Sequence, residues 1–313
     1  MKLIPPRALA LIAWMHGSVV SAQEAPPALA ATEAAMSIVA VEHWKDQKRQ
    51  AITSGFFVAS PDPQQHWILG YLAEVEEKTT YQIALGRTMV GGILLAHDAA
   101  LHLALFRINP TSRKLPLAIA DRSPPPEQAG ALIALMNAES TLGTPATPGR
   151  FACREPFAPF GSTHLRIHIA AATTNAGAPV FDESLRIVGM LGRQVPNTLE
   201  CFHAIPAERL NKFLQDIRTH GKPTQPWLGI AVTKTSPAPI ITGCRESSPA
   251  LAAGLEAGDL VLSLGPSRIT TLQDLIDATE LLPINQDVEM KILRGQQIKL
   301  LKITPRLKPD IAI

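Results

Sequence analysis

"SSPALAAGLEAGDLVLSLG", residues 247–265, decides the C-terminal part of the chain. Ser248-Pro249 is a helix start: the hydroxyl can accept from a free first-turn N–H, and proline brings a helical φ without wasting a donor. Ala250, Ala252 and Ala253 keep that helix thin enough to lie close against a sheet. Gly254 ends it, and Gly258-Asp259 turns the chain into "LVLSL", an apolar run of strand length. A one-turn helix feeding a strand in this way belongs to a small α+β unit.

The surrounding sequence completes that unit. "WLGIAV" (227–232) and "APIITGC" (238–244) precede it, and a helical stretch "TLQDLIDATELL" (271–282) follows. "DVEMKILRGQQIKLLKI" (287–303) reads as two strands joined at Arg294-Gly295-Gln296. Residues 227–308 thus form one domain, and "GKPTQP" (221–226) is the stiff polar linker before it. Upstream, Leu210, Phe213, Leu214 and Ile217 fall on one helical face that opens after Pro206 and stops at Gly221. From Ile38 to Pro206 the pattern is short apolar runs separated by turn signals: "MSIVAVEH", "SGFFVAS", "HWILGYLAEV", "YQIALG", "GGILLAH", "LALFRIN", "GALIALMN", "LRIHIAA", "RIVGML" and "CFHAIP". Such spacing predicts a barrel or sandwich over residues 36–220, so the fold class is mainly β followed by α+β.

Composition agrees. The 313 residues are 46% hydrophobic and 18% charged, enough for one or two real cores. A net charge of +2 spread along the chain argues against nucleic acid as a partner. Lys2 and Arg7, the apolar "ALALIAWM" (8–15) and Val20-Ser21-Ala22 form a signal peptide over residues 1–22, with the mature chain starting near Gln23 and a loosely ordered segment over 23–35. No later run is long enough to span a membrane, so the expected location is periplasmic or secreted. Three cysteines, Cys153, Cys201 and Cys244, leave at least one unpaired within the chain, and spacing does not decide whether Cys153 and Cys201 bridge. His164 and His168 sit at i and i+4 but in a strand-like run, so neither a metal nor any other cofactor is expected. Glu76-Glu77, in the polar stretch "EVEEKTT", reads as a solvated loop.

The 247–265 segment resembles the core of PDZ domains, in particular those of HtrA/DegP-type serine proteases. That resemblance implies a peptide groove: a loop offering backbone N–H groups to a terminal carboxylate, with the peptide added as a strand to a sheet edge. The matching residues are Trp227, Leu228, Gly229, Ile230 and Val232, facing a helix with Leu275, Ile276 and Thr279; Gly229 is expected to let a carboxylate come close to the backbone.

With that family in view, residues 36–220 resemble a trypsin-like double β-barrel. "SGFFVAS" looks like its opening strand, "DAALHLALFRIN" like the segment bearing the catalytic Asp, "NAGAPVFDESLRIVGM" like the nucleophile turn, and "FHAIP" like the closing strand. A protease of this kind needs a hydroxyl, an imidazole to take its proton and a carboxylate to orient the imidazole. The family's Asn-Ser-Gly-Gly-Pro reads here Asn175-Ala176-Gly177-Ala178-Pro179, its His position falls at Ala73, and its Asp position is His102, with Asp98 four residues earlier. Thr173 and Thr174 have no sequence-evident base, and Thr174 stands where a glycine usually precedes the pair, so the oxyanion donors are in doubt as well. Three absences in three separate segments imply a degenerate, inactive serine protease homologue, a pseudoprotease without catalytic residues. On this reading the chain binds extended or C-terminal peptides of unfolded proteins as a scaffold, regulator or holdase in protein quality control. The resemblance also implies a homo-oligomer, with a trimer as one form, or a hetero-oligomer with an active relative. The alternative is a serine-type endopeptidase of the HtrA family with a misread or unusual active site.

Overall fold

Six of the apolar runs between Ile38 and Ile108 close on themselves. In the computed structural model, which describes residues 34–110, 116–135, 146–156, 161–169, 176–198, 200–233 and 238–309, they are β1 (Ile38–Lys45), β2 (Lys48–Val58), β3 (His66–Tyr71), β4 (Thr80–Leu85), β5 (Thr88–Asp98) and β6 (Leu103–Ile108). The order β1-β2-β3-β6-β5-β4 makes a closed barrel, antiparallel at every recorded pairing. Alternation explains why the runs look continuously apolar. Val39, Val41, Phe57, Ile68, Ile83 and Phe106 fill the barrel, whereas Phe56, Trp67, Leu69, Leu103 and Leu105 point outward into a second cluster with Phe181, Met190 and Ile205. Both faces of β3, β6 and the second half of β2 are therefore buried, and each large side chain contributes roughly 1.5–3 kcal/mol.

The second barrel has the order β10-β11-β12-β9-β8-β7. Its strands are β7 (Leu132–Leu135), β8 (Ala146–Pro156), β9 (Thr163–Ile169), β10 (Pro179–Phe181), β11 (Ile187–Gln194) and β12 (Cys201–Pro206). β8, "ATPGRFACREP", is absent from the runs read in the sequence, since prolines, a glycine and three charges break its apolar pattern. Pairing with β7 and β9 on either side overrides that weak propensity. α1 (Ala207–His220) then packs Leu210, Phe213, Leu214 and Ile217 onto the inter-barrel cluster, and Gly221 closes it in the left-handed conformation at φ 70°.

The last unit starts with β13 (Pro226–Trp227), paired with β20 (Arg306–Leu307). β14 (Ile230–Val232) pairs with β15 (Ile241–Cys244), and a four-stranded sheet runs β17-β16-β18-β19. Its members are β16 (Leu260–Leu264), β17 (Ser267–Arg268), β18 (Val288–Arg294) and β19 (Gln297–Ile303), the last two forming the expected hairpin. α2 (Pro249–Ala252) is capped by Ser248, whose Oγ accepts from the Leu251 N–H at 3.2 Å. α3 (Leu272–Glu280) begins with a reciprocal cap between Thr271 and Asp274.

α3 also ties this unit to the second barrel. Gln273 Nε2 donates to the Gly161 carbonyl at 2.7 Å, and the Thr163 N–H donates to Asp277 Oδ1 at 2.9 Å. Buried Arg209 of α1 meets Glu280 and lies 3.6 Å from Asp277. Burial pushes the Glu280 carboxyl above its ordinary value, and Arg209 opposes that rise. Arg209→Ala is expected to weaken the contact by ~1–3 kcal/mol. Limited proteolysis with proteinase K checks it: cleavage within the 221–226 linker should speed up several-fold, and an unchanged rate would mean that the pair does not hold the units together.

Cys153, Cys201 and Cys244 are all free thiols. β9 separates the first two, because Cys153 pairs with Arg166 from β8 and Cys201 pairs with His168 from β12. Arg166 Nε donates to Cys201 Sγ at 3.0 Å. The signal peptide expected over residues 1–22 lies outside the described residues, as does the 23–35 segment up to residue 33. Among the described residues no helix is long and apolar enough to cross a membrane.

Candidate functional site

Where the barrels meet, the end of β3 faces the turn that enters β10. Two hydrogen bonds lock the turn in place: the Ser54 N–H donates to the Ala176 carbonyl at 2.8 Å, and the Gly177 N–H donates to the Leu191 carbonyl at 2.7 Å. Ala73 and Ala176 line one cavity of about 350 Å³ together with Tyr71, His43, Thr53 and Glu76. Two of the three positions singled out in the sequence are thus brought together, and both are methyl groups.

His102 stands beside them with a different task. Its backbone is left-handed at φ 55°, its Nδ1 lies 2.9 Å from the Ala73 carbonyl, and its ring is tilted over Tyr71 at 5.4 Å. Burial holds its pKa below the usual histidine value, with the Ala73 bond acting in the opposite direction. His97 Nε2 makes the same kind of contact to the Leu72 carbonyl at 2.9 Å. Asp98 Oδ1 accepts from the Ala100 and Leu101 N–H groups at 2.9 and 3.1 Å, so this carboxylate organises its own loop. Both histidines therefore brace the chain after β3.

The cavity also holds a pair that the sequence did not disclose. His43 Nε2 lies 3.0 Å from Thr53 Oγ1, and the imidazole, 8% exposed, meets the Tyr81 ring edge-on at 5.5 Å. Burial lowers the His43 pKa, which favours the neutral ring with a nitrogen able to accept a proton. The pairing follows from the β1–β2 register, in which Val41 faces Thr53 and His43 faces Ala51, leaving Thr53 one diagonal step from His43.

In the C-terminal unit β14 pairs with β15, and no strand covers its other edge among the described residues. Ile230, Val232, Ile276 and Thr279 are half-buried beside that edge and on α3, and Thr279 Oγ1 donates to the Leu275 carbonyl at 2.7 Å. Leu228 and Leu275, each 1% exposed, belong to the core. Gly229 is left-handed at φ 72°, and a Cβ there would stand 2.2 Å from Ser248 Cβ and 2.9 Å from Trp227 Cζ2. This glycine is thus required by its backbone conformation and by packing against the α2 cap. Trp227, half-buried, forms one wall of that close approach.

His164 and His168 lie on β9, and burial lowers the His164 pKa to about 4. No group of three or more His, Cys, Asp or Glu side chains suited to a metal occurs among the described residues.

Residues 226–304 match the family model of the PDZ domain. The solved structure of the HtrA-type protease AlgW with a tripeptide superimposes with a TM-score of 0.65 at 17% identity, over 90% of this chain and 96% of that one. The chain has the HtrA/DegP-type protease fold with a C-terminal PDZ domain. The serine endoprotease from Yersinia pestis matches this chain with a TM-score of 0.59 at 17% identity, over 88% of this chain and 96% of its own. A DegP-like periplasmic serine endoprotease of Ectopseudomonas mendocina is 26% identical over 185 residues, 54% of this chain and 38% of the relative. The serine protease HhoB of Synechocystis is 21% identical over 304 residues, 85% of this chain and 68% of the relative. The chain spans well under half the length of this DegP-like relative.

These names overturn one expectation. The sequence alone led to a chain that is not an enzyme, whereas the relatives are named serine endoproteases, which favours a protease. The physical reason lies in how narrow the inference was. Ala73, His102 and Ala176 speak only for three positions, while acyl transfer needs any activated hydroxyl beside an imidazole in an accessible cleft. This cleft contains a hydroxyl 3.0 Å from an imidazole, Thr53 beside His43.

Proposed function

We propose that this chain is a peptide-binding endopeptidase of the cell envelope, periplasmic or secreted, acting on unfolded or extended polypeptides. The carrying observation is the cavity at the junction of the barrels, where a hydroxyl and an imidazole stand 3.0 Å apart beside the Ala176 turn. The PDZ domain supplies capture: a peptide adds along the open edge of β14, its carboxylate held by the N–H groups of the Trp227–Ile230 loop and its side chains flanked by Ile276 and Thr279. Leu275 supports that groove from the core. The chemistry at Ala73, His102 and Ala176 cannot supply the nucleophile, so hydrolysis proceeds from another hydroxyl in the cleft.

The test is digestion of unfolded casein by purified residues 23–313, with fluorescence polarisation of a C-terminal peptide library in parallel. Casein should be cut slowly but reproducibly, and library peptides should bind. Intact casein after prolonged incubation overturns the endopeptidase reading, and a silent library overturns the groove.

A further inference from the structure

We propose that Thr53 is the nucleophile and His43 its general base in the inter-barrel cleft, an assignment that rests on the endopeptidase reading above. The geometry has three parts. Oγ1 of Thr53 and Nε2 of His43 are at hydrogen-bond distance, 3.0 Å. Thr53 is half-buried, so a substrate can reach its hydroxyl, while His43 is packed under Tyr81 and keeps its orientation. Both line the same cavity as Tyr71 and Ala73 of the first barrel and Ala176 of the turn that enters β10. In addition, the Ser54 N–H bond to the Ala176 carbonyl joins the residue after Thr53 to the β10 turn, so the candidate nucleophile is registered against the opposite barrel.

The step balances without a cofactor. Thr53 Oγ1 attacks the scissile carbonyl carbon as its proton passes to His43 Nε2. The C–N bond then breaks, the departing amine takes that proton, and an ester is left on Thr53. Water attacks the ester and gives a proton to His43, and Thr53 recovers it as the carboxylic acid leaves. Residues of the sequence-read triad take no part. Burial of His43, which keeps the ring neutral, suits it to accept the first proton.

The experiment is fluorophosphonate labelling of the mature chain with mass-spectrometric mapping of the adduct, alongside casein cleavage. The phosphonyl group should map to Thr53. Thr53→Val keeps the β-branched shape and should abolish both labelling and cleavage, a loss on the order of a million-fold where a lone nucleophile is removed. Thr53→Ser should restore both, and His43→Gln should slow cleavage by about a hundredfold to ten-thousandfold. Circular dichroism of each variant confirms that it is folded, and rescue by serine keeps the test valid if valine disturbs the strand. An adduct elsewhere, with Thr53→Val still cutting casein, would overturn this assignment and leave the endopeptidase reading intact. A wild-type chain that neither labels nor cuts would remove both.

Discussion

Arg294→Ala lowers the unfolding midpoint of the PDZ domain by roughly 15 °C or more, because it strands a buried carboxylate. Asp259 is fully buried, and Arg294 grips it with two parallel bonds, Nε to Oδ1 at 2.7 Å and Nη2 to Oδ2 at 2.8 Å. The same guanidinium donates to the Gly254 carbonyl at 2.7 Å and pairs with Glu256, while Asp259 Oδ2 accepts the Glu256 N–H at 2.9 Å. One side chain on the β18–β19 hairpin thus holds the whole turn between α2 and β16. Removing it leaves the Asp259 carboxylate with a single N–H partner and only the weaker field of Lys299, with no hydrogen-bonded counter-charge, which is the costly way to break a buried pair. Arg294→Lys keeps the charge without the planar fork and should lose less.

The pH dependence gives this result a sign. The hydrogen bonds from Arg294 are the main reason why the Asp259 carboxyl lies below its ordinary 3.8. A depressed carboxylate contributes stability that is present above the unfolded value and is lost as pH falls through the folded one. In Arg294→Ala the unpaired carboxyl is raised by burial, so the variant gains relative stability as pH falls toward 3.8. The gap between the two proteins should therefore be widest near neutrality and should close on acidification. Differential scanning calorimetry between pH 7 and pH 4 reads it, and a constant gap would show that Arg294 acts through packing alone.

Local signals were legible from the sequence, and long-range ones were not. Ser248-Pro249, Gly254 and Gly258-Asp259 each act on the next few residues, so the α2–β16 segment follows from the letters. The Leu210–Ile217 face of α1 is equally local. The role of Asp259, by contrast, depends on Arg294, 35 residues away, and no local rule pairs them. The Thr53–His43 contact is an intermediate case. Asp46 and Gln47, both left-handed at φ 49° and 60°, make a two-residue hairpin turn that sets the β1–β2 register. The shift between His43 and Trp44 then moves that register by an amount the residues do not announce. β8 was missed for the converse reason, since its strand character comes from neighbours and not from its own composition.

Gly177→Ala should destabilise the two-barrel body by roughly 4 kcal/mol or more and abolish whatever the cleft does. At φ 95° a side chain is strained, at a cost of about 1–3 kcal/mol. The added Cβ would also stand 2.0 Å from the Ser54 carbonyl oxygen and 2.9 Å from its carbon, both backbone atoms that cannot rotate away. Relief requires the turn to retreat from β2. That movement breaks the Ser54 to Ala176 and Gly177 to Leu191 hydrogen bonds, each a contribution of about 1 kcal/mol. It also shifts Ala176 out of the cavity wall it shares with Thr53 and His43. Gly86→Ala supplies the comparison: φ is 66°, but no atom lies within 4 Å of the new methyl, so only the backbone cost of about 1–2 kcal/mol is expected. Urea unfolding of the two variants separates strain from collision. Equal losses would mean that the β10 turn yields freely and that the contact between the barrels at Ser54 is not what fixes the cleft.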